Sequence, residues 1–114
     1  MSLRGGFEQQ ALCLLFSFTG QLDAYSDKHF KDYILLHQGS SNLPVVLDLT
    51  HIDFIDSSGL GVLVQLAKLC ADAGIQFLVV GNARVVQTVK LVRLEEFLHL
   101  QTDLNAALRA LTTS

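Results

Sequence analysis

Apolar residues in this chain fall into short continuous runs that alternate with segments of helical spacing. Residues 11–19 (ALCLLFSFT) carry apolar side chains at both odd and even positions. A strand sends successive side chains to opposite faces, so this run predicts a strand covered on both sides, with Gly20 interrupting it. Asp23 then stands in the N-cap position of a helix carrying Phe30, Tyr33, Ile34 and His37 on one face. The stretch Gly39 to Pro44 (GSSNLP) is a loop by composition. Val45 to Leu49 predicts a second buried strand, followed by a short turn-like segment ending in Asp56, Ser57, Ser58 and Gly59.

From the end of that segment at Gly59 to Ala73 the spacing is helical, and Gly74 is placed to close the C-terminus. Ile75 to Val80 reads as a third strand. Gly81 and Asn82 lead into a helix with Val85, Val86, Val89, Leu91 and Val92 apolar. Phe97 to Leu100 predicts a short edge strand, and Thr102 or Asp103 caps a last helix ending near Leu111. Leu3 to Gln10 offers one more edge strand. Strands and helices thus alternate, which predicts an α/β fold: a mixed, largely parallel sheet of four to five strands flanked by about four helices.

Composition narrows the function classes. The chain has 114 residues, half of them hydrophobic, which suits a single domain spanning 1–114 with a core that needs no disulfide or metal. The net charge is -3 and the basic residues are scattered, so the clusters that neutralise nucleic-acid phosphates are missing. Cys13 and Cys70 lie far apart inside apolar segments, without ligand spacing, and read as buried reduced thiols. The first ten residues hold no apolar run of signal-peptide length, and nothing approaches the ~20 apolar residues that span a bilayer. The expectation is a cytoplasmic protein without a membrane segment.

The most informative stretch is Asp56-Ser57-Ser58-Gly59-Leu60-Gly61, which joins a buried strand to a buried helix. α/β proteins place their sites at this end of the sheet. At about 100° per residue, Ser57, Gly61, Gln65, Lys68 and Asp72 form a polar stripe, opposite Leu60, Leu63, Leu66, Ala67 and Cys70. Two roles are open to a hydroxyl here. Asp56, Ser57 or Ser58 can cap the helix, contributing about 1 kcal/mol. Alternatively a serine accepts a phosphoryl group, adding about -1.5 to -2 charges beside free backbone N–H groups. Gly59 and Gly61 remove side-chain bulk and admit the close approach of another protein. Asp23 and Asp56 both sit in strand-to-helix turns. If their strands are neighbours, the two carboxylates flank Ser57, and a phosphate added there meets like charge. The plain alternative is that both aspartates only cap helices.

These residues resemble a known family, the STAS domain of anti-sigma-factor antagonists. Thr19-Gly20-Gln21-Leu22-Asp23 is similar to the family's Thr-Gly-Glu-Leu-Asp. Phe54-Ile55-Asp56-Ser57-Ser58-Gly59-Leu60-Gly61-Val62 resembles its phosphorylation segment. The resemblance implies partner switching without a cofactor. The unmodified antagonist binds an anti-sigma factor that is also a serine kinase, the kinase phosphorylates it at Ser57 and the complex separates. A PP2C-type phosphatase then restores the hydroxyl. It further implies a partner-facing surface of Asp23, Asp56, Ser58, Gly59, Leu60 and Gly61. Two departures stand out: Gln21 replaces an acidic residue, and Leu91-Val92-Arg93-Leu94 stands where many members have a glycine after the helix.

Enzyme readings find little support. Neither serine lies in a G-x-S-x-G elbow, His29, His37, His51 and His99 are dispersed, and no dinucleotide fingerprint or phosphate loop occurs. Asp48, Asp53 and Asp56 lack the further acids that an aspartyl-phosphate receiver or metal site needs after the first strand. The expectation is no catalytic, cofactor or metal residues. The competing reading is an unswitched scaffold or ligand-sensing module in a larger assembly. A homo-oligomer through a sheet edge or the stripe around Lys68 stays open.

Overall fold

The computed structural model describes residues 3–112. Its elements are β1 (Arg4–Gln9), β2 (Leu14–Leu22), α1 (Asp27–Gln38), β3 (Val45–Ile55), α2 (Ser57–Asp72), β4 (Phe77–Gly81), α3 (Ala83–Leu91), β5 (Leu100–Gln101) and α4 (Leu104–Thr112). They build one five-stranded sheet in the order β1-β2-β3-β4-β5. β1 runs antiparallel to β2 and every other pairing is parallel. This is the mixed, largely parallel sheet that the alternating pattern predicts.

Two apolar cores explain the strand patterns. Leu14, Phe16, Phe18, Leu47, Leu49 and Val79 face the larger core, filled by Phe30 and Ile34 of α1, Leu63 and Leu66 of α2, and Val85 and Val89 of α3. Cys13, Leu15, Val46, Leu78 and Val80 face a smaller core closed by Ala107 and Leu111 of α4. Burying a leucine such as Leu63 contributes about 1.5–3 kcal/mol. Aromatic rings bind α1 to the sheet, with Phe18 and Phe30 centroids 4.5 Å apart and His37 stacked on Phe7 at 4.8 Å.

Several boundaries depart from the hydrophobic pattern. β2 is covered on both faces only over its first residues; Ser17 and Thr19 are exposed, because the face that α4 covers is confined to one part of the sheet. Gly20 does not end β2 but absorbs a register shift, at φ 104°, and the strand runs on to Leu22. β3 likewise continues to Ile55, since the polar residues taken for a turn pair with β2 from Thr19↔His51 to Leu22↔Ile55. β4 accompanies β3 only as far as Leu49↔Gly81. Beyond that point Asn82 substitutes for a strand, its Nδ2 donating to the carbonyls of Thr50 (3.1 Å) and Ile52 (2.8 Å) while Oδ1 caps α3 at Val85 N–H (2.9 Å).

Leu91 and Val92 do not join the core; Leu91 is 78% exposed. α3 stops at Leu91 because Arg93 adopts a left-handed conformation, φ 59°. Arg93 N–H then bonds Lys90 O at 3.1 Å and Leu94 N–H bonds Val89 O at 3.2 Å, the two bonds of a Schellman closure. α2 closes in the same way around Gly74, φ 72°. Phe97 and Leu98 belong to a helical turn rather than to the edge strand, with Leu98 N–H on Leu94 O and Leu100 N–H on Glu95 O. Asp103, the second of the two expected caps, accepts from Ala106 N–H at 3.0 Å.

Candidate functional site

Leu22 and Ile55 are register partners at the ends of two parallel neighbours, and Asp56 N–H extends the ladder by bonding Leu22 O at 3.3 Å. Asp23 and Asp56, the next residues along each strand, therefore leave the sheet side by side. The sheet topology brings together the two motifs that lie more than thirty residues apart in the chain.

Asp56 caps α2. Its backbone is extended (φ -117°, ψ -170°), and Oδ1 accepts from Ser58 N–H at 2.9 Å and Gly59 N–H at 3.1 Å. Of the three candidate caps, the carboxylate takes the role, and Ser57 is left as the first helical residue, exposed and outside the cap. A hydroxyl not needed for capping is available to a modifying enzyme.

Asp23 does not cap α1, contrary to the spacing argument. β2 first pairs out to Leu22, so the chain needs a turn, residues 23–26, before α1 begins at Asp27. Asp23 Oδ1 accepts from Tyr25 N–H at 3.0 Å, while Asp23 N–H donates to Ser26 Oγ at 3.0 Å. The buried Ser26 hydroxyl lies 2.7 Å from Gln21 O and donates there. The turn is thus tied internally, and Asp23 is half-buried within it.

The expected surface around Ser57 is only partly a surface. Gly61 is exposed, and a Cβ added there would meet nothing. Ser58 and Leu60 are half-buried, and Leu60 packs against the larger core. Gly59 is buried. A Cβ on Gly59 would stand 2.5 Å from Leu22 O, so its missing side chain serves the approach of α2 to the sheet rather than the approach of a partner. Among the other acids, Asp48 is buried, with Oδ1 accepting from Thr50 N–H at 3.0 Å and Thr50 Oγ1 at 2.7 Å; Asp53 is exposed on the projecting end of β3. No group of three or more potential metal ligands converges among the described residues, and no helix there is long and apolar enough to cross a membrane.

A family model of the STAS domain matches residues 7–107. The chain belongs to the STAS-domain family. A stretch of 50 residues is 34% identical to the anti-sigma-B factor antagonist of Listeria monocytogenes, covering 44% of this chain and 44% of that protein. Less than half of the relative is therefore spanned by the match. An anti-sigma factor antagonist from Mycobacterium paratuberculosis superposes with a TM-score of 0.89 at 22% identity, over 97% of this chain and 95% of its own. A murine Solute Carrier 26 family anion transporter gives 0.82 at 16% identity, over 94% of this chain but 19% of the transporter. At such identities the two structures speak for the fold alone, and the STAS fold evidently serves in quite different settings.

Two features beside the STAS motifs escape a reading of the sequence. Tyr25 is 97% exposed on the turn that holds Asp23, an aromatic ring standing in water at the rim. A groove of about 390 Å³ also runs between α1 and α2, lined by Asp27, Lys28, Lys31, Ser58, Gly61 and Gln65 among others. The signal for the first was an aromatic residue two positions after a motif aspartate. The groove had none, because Lys28 and Lys31 meet Ser58 and Gly61 only through packing of two helices.

Proposed function

We propose that this chain, as one STAS domain, is an anti-sigma-factor antagonist acting by partner switching, without catalytic activity of its own. Unmodified, it binds an anti-sigma factor that is also a serine kinase, and phosphorylation of Ser57 ends the complex. A PP2C-type phosphatase returns the protein to its binding state, and the exchange takes place in the cytoplasm. Asp23, Asp56, Ser58, Leu60 and Gly61 form the partner-facing rim, with Gly59 setting the helix that carries it.

The observation that carries this reading is the position of Ser57: exposed, first in α2, and spared from the cap by Asp56. The stretch shared with the Listeria antagonist and the two sequence motifs favour this role over the other settings of the fold. Phosphorylation adds about -1.5 to -2 charges beside the strand ends that carry Asp23 and Asp56. The added group changes both the charge and the shape of the rim, so a partner fitted to the unmodified surface no longer fits it.

The test is mass spectrometry of the protein from its own cells, with and without phosphatase, alongside binding of Ser57→Asp to the cognate kinase. One phosphatase-sensitive phosphoryl group on Ser57 and loss of binding by the variant are expected. A residue never modified under growth or stress, with Ser57→Asp binding as the parent does, would overturn the switch in favour of an unswitched scaffold or ligand-sensing module.

A further inference from the structure

α1 and α2 begin at the same end of the sheet and pack side by side, and the groove between them opens beside the first turn of α2. Residues four apart on a helix lie one above the other, so Ser57 sits over Gly61, which contributes no side chain to the groove wall. The opposite wall carries two ammonium groups. Lys28 Nζ pairs with Asp32 on its own helix, both side chains largely exposed. Lys31 Nζ donates to Gln65 Oε1 at 3.1 Å across the groove. Neither contact is strong: an exposed i,i+4 pair contributes little, and Gln65 is neutral. Asp27 is the other charged residue of the lining, with its Oδ1 accepting from Lys28 N–H at 2.7 Å.

The surroundings of a group attached to Ser57 are therefore lopsided. Asp23 and Asp56 lie towards the sheet, and Lys28 and Lys31 lie towards α1. We propose that a phosphoryl group on Ser57 turns into the α1–α2 groove and is received by Lys28 and Lys31. A near-dianion outcompetes the single carboxylate of Asp32 for Lys28 and the neutral amide of Gln65 for Lys31. The modified side chain then occupies the groove while its charge is partly neutralised within the chain. This deepens the proposed function and rests on Ser57 being the modified residue.

The experiment uses the full chain with phosphoserine genetically encoded at position 57, so that no kinase is required. Phosphorus NMR follows the second ionisation of the phosphomonoester, which is ordinarily near ~6. Cations held close favour the dianion and lower that value. Lys28→Gln combined with Lys31→Gln should raise it by about 0.5 at moderate salt. Lys28→Arg with Lys31→Arg should restore the lower value. Lys68→Gln serves as the control, because eleven residues along α2 put it about 16 Å from Ser57, beyond the Debye length at physiological salt. In the parent, the Asp32 carboxylate carbon should also shift on phosphorylation as Lys28 leaves it. An unchanged ionisation in the double Gln variant, or an equal change from Lys68→Gln, would overturn the proposal. Failure of the switch itself appears separately, as an unmodified Ser57 in cells, and leaves this titration unaffected.

Discussion

Gly59 and Gly61 are two residues apart on one helix, yet alanine should move them in opposite directions. At Gly59 the new Cβ would stand 2.5 Å from Leu22 O and 2.9 Å from both Ile55 Cγ1 and Leu22 Cγ. Carbon and oxygen relax at about 3.3 Å or more, so the first turn of α2 must retreat by ~0.8 Å. Two of the three obstacles belong to the strand end that also receives Asp56 N–H, which leaves no flexible side-chain tip to give way. Because the nearest obstacle is a backbone oxygen, the overpacking cost falls in the upper part of its usual range, about 2–3 kcal/mol. Alanine returns up to ~1 kcal/mol of helix propensity, leaving a net loss of about 1–2 kcal/mol. At Gly61 the same atom meets nothing, so the propensity gain stands alone. In urea, with a slope of about 2 kcal/mol/M, the Gly59→Ala midpoint should fall by ~0.5–1 M and the Gly61→Ala midpoint rise by ~0.4 M. A Gly59→Ala protein as stable as the parent, or a Gly61→Ala protein that weakens alongside it, would refute the packing argument.

Three further outcomes follow from other parts of the fold. Arg93→Gly should stabilise the protein by about 1 kcal/mol, since a left-handed backbone costs a residue with a Cβ about 1–2 kcal/mol; a melting temperature that fails to rise would contradict this. Asn82→Asp keeps an acceptor for Val85 N–H but sets an oxygen against the carbonyls of Thr50 and Ile52. It should cost about 2 kcal/mol by chemical denaturation, and parental stability would show that the amide does not hold the end of β3. Burial pushes the Cys70 thiol above its ordinary 9.0. The unfolded chain therefore ionises first, so this contribution is complete below pH 9 and is lost as pH rises through the folded value. Cys70→Ala should flatten that alkaline decline in urea midpoints measured from pH 8 to 10.5, and an unaltered slope would assign it elsewhere.

Much of the architecture was legible because buried strands and one-sided helices write different periods into the chain. The runs around Phe16, Leu47 and Val79 each became a central strand, and Asp56 was identifiable as lying between a strand and a helix. What failed did so for local reasons. Thr50, His51 and Asp53 look like turn residues, and only pairing with β2 makes them strand. Leu91 and Val92 fit the apolar stripe of α3, but Arg93 ends the helix without the glycine that usually marks such a stop. Gly59 looks like an opening for a partner until the position of Leu22 O is known. At the candidate site, the acidic pair was predictable from two motifs and a crossover rule. Lys28 and Lys31 were not, since their place depends on how α1 lies against α2.

The division of labour at the start of α2 has a consequence for how this position can change over time. Asp56 does all the capping, so the side chain at position 57 contributes almost nothing to whether the helix forms. Chemistry performed on that side chain need not wait for any part of the chain to rearrange, and reversing it leaves no structural trace. The same independence lets the residue be exchanged for threonine, alanine or an acid without unmaking the scaffold. A lineage can thus acquire, lose or permanently fix a signal at this point while keeping the protein folded throughout.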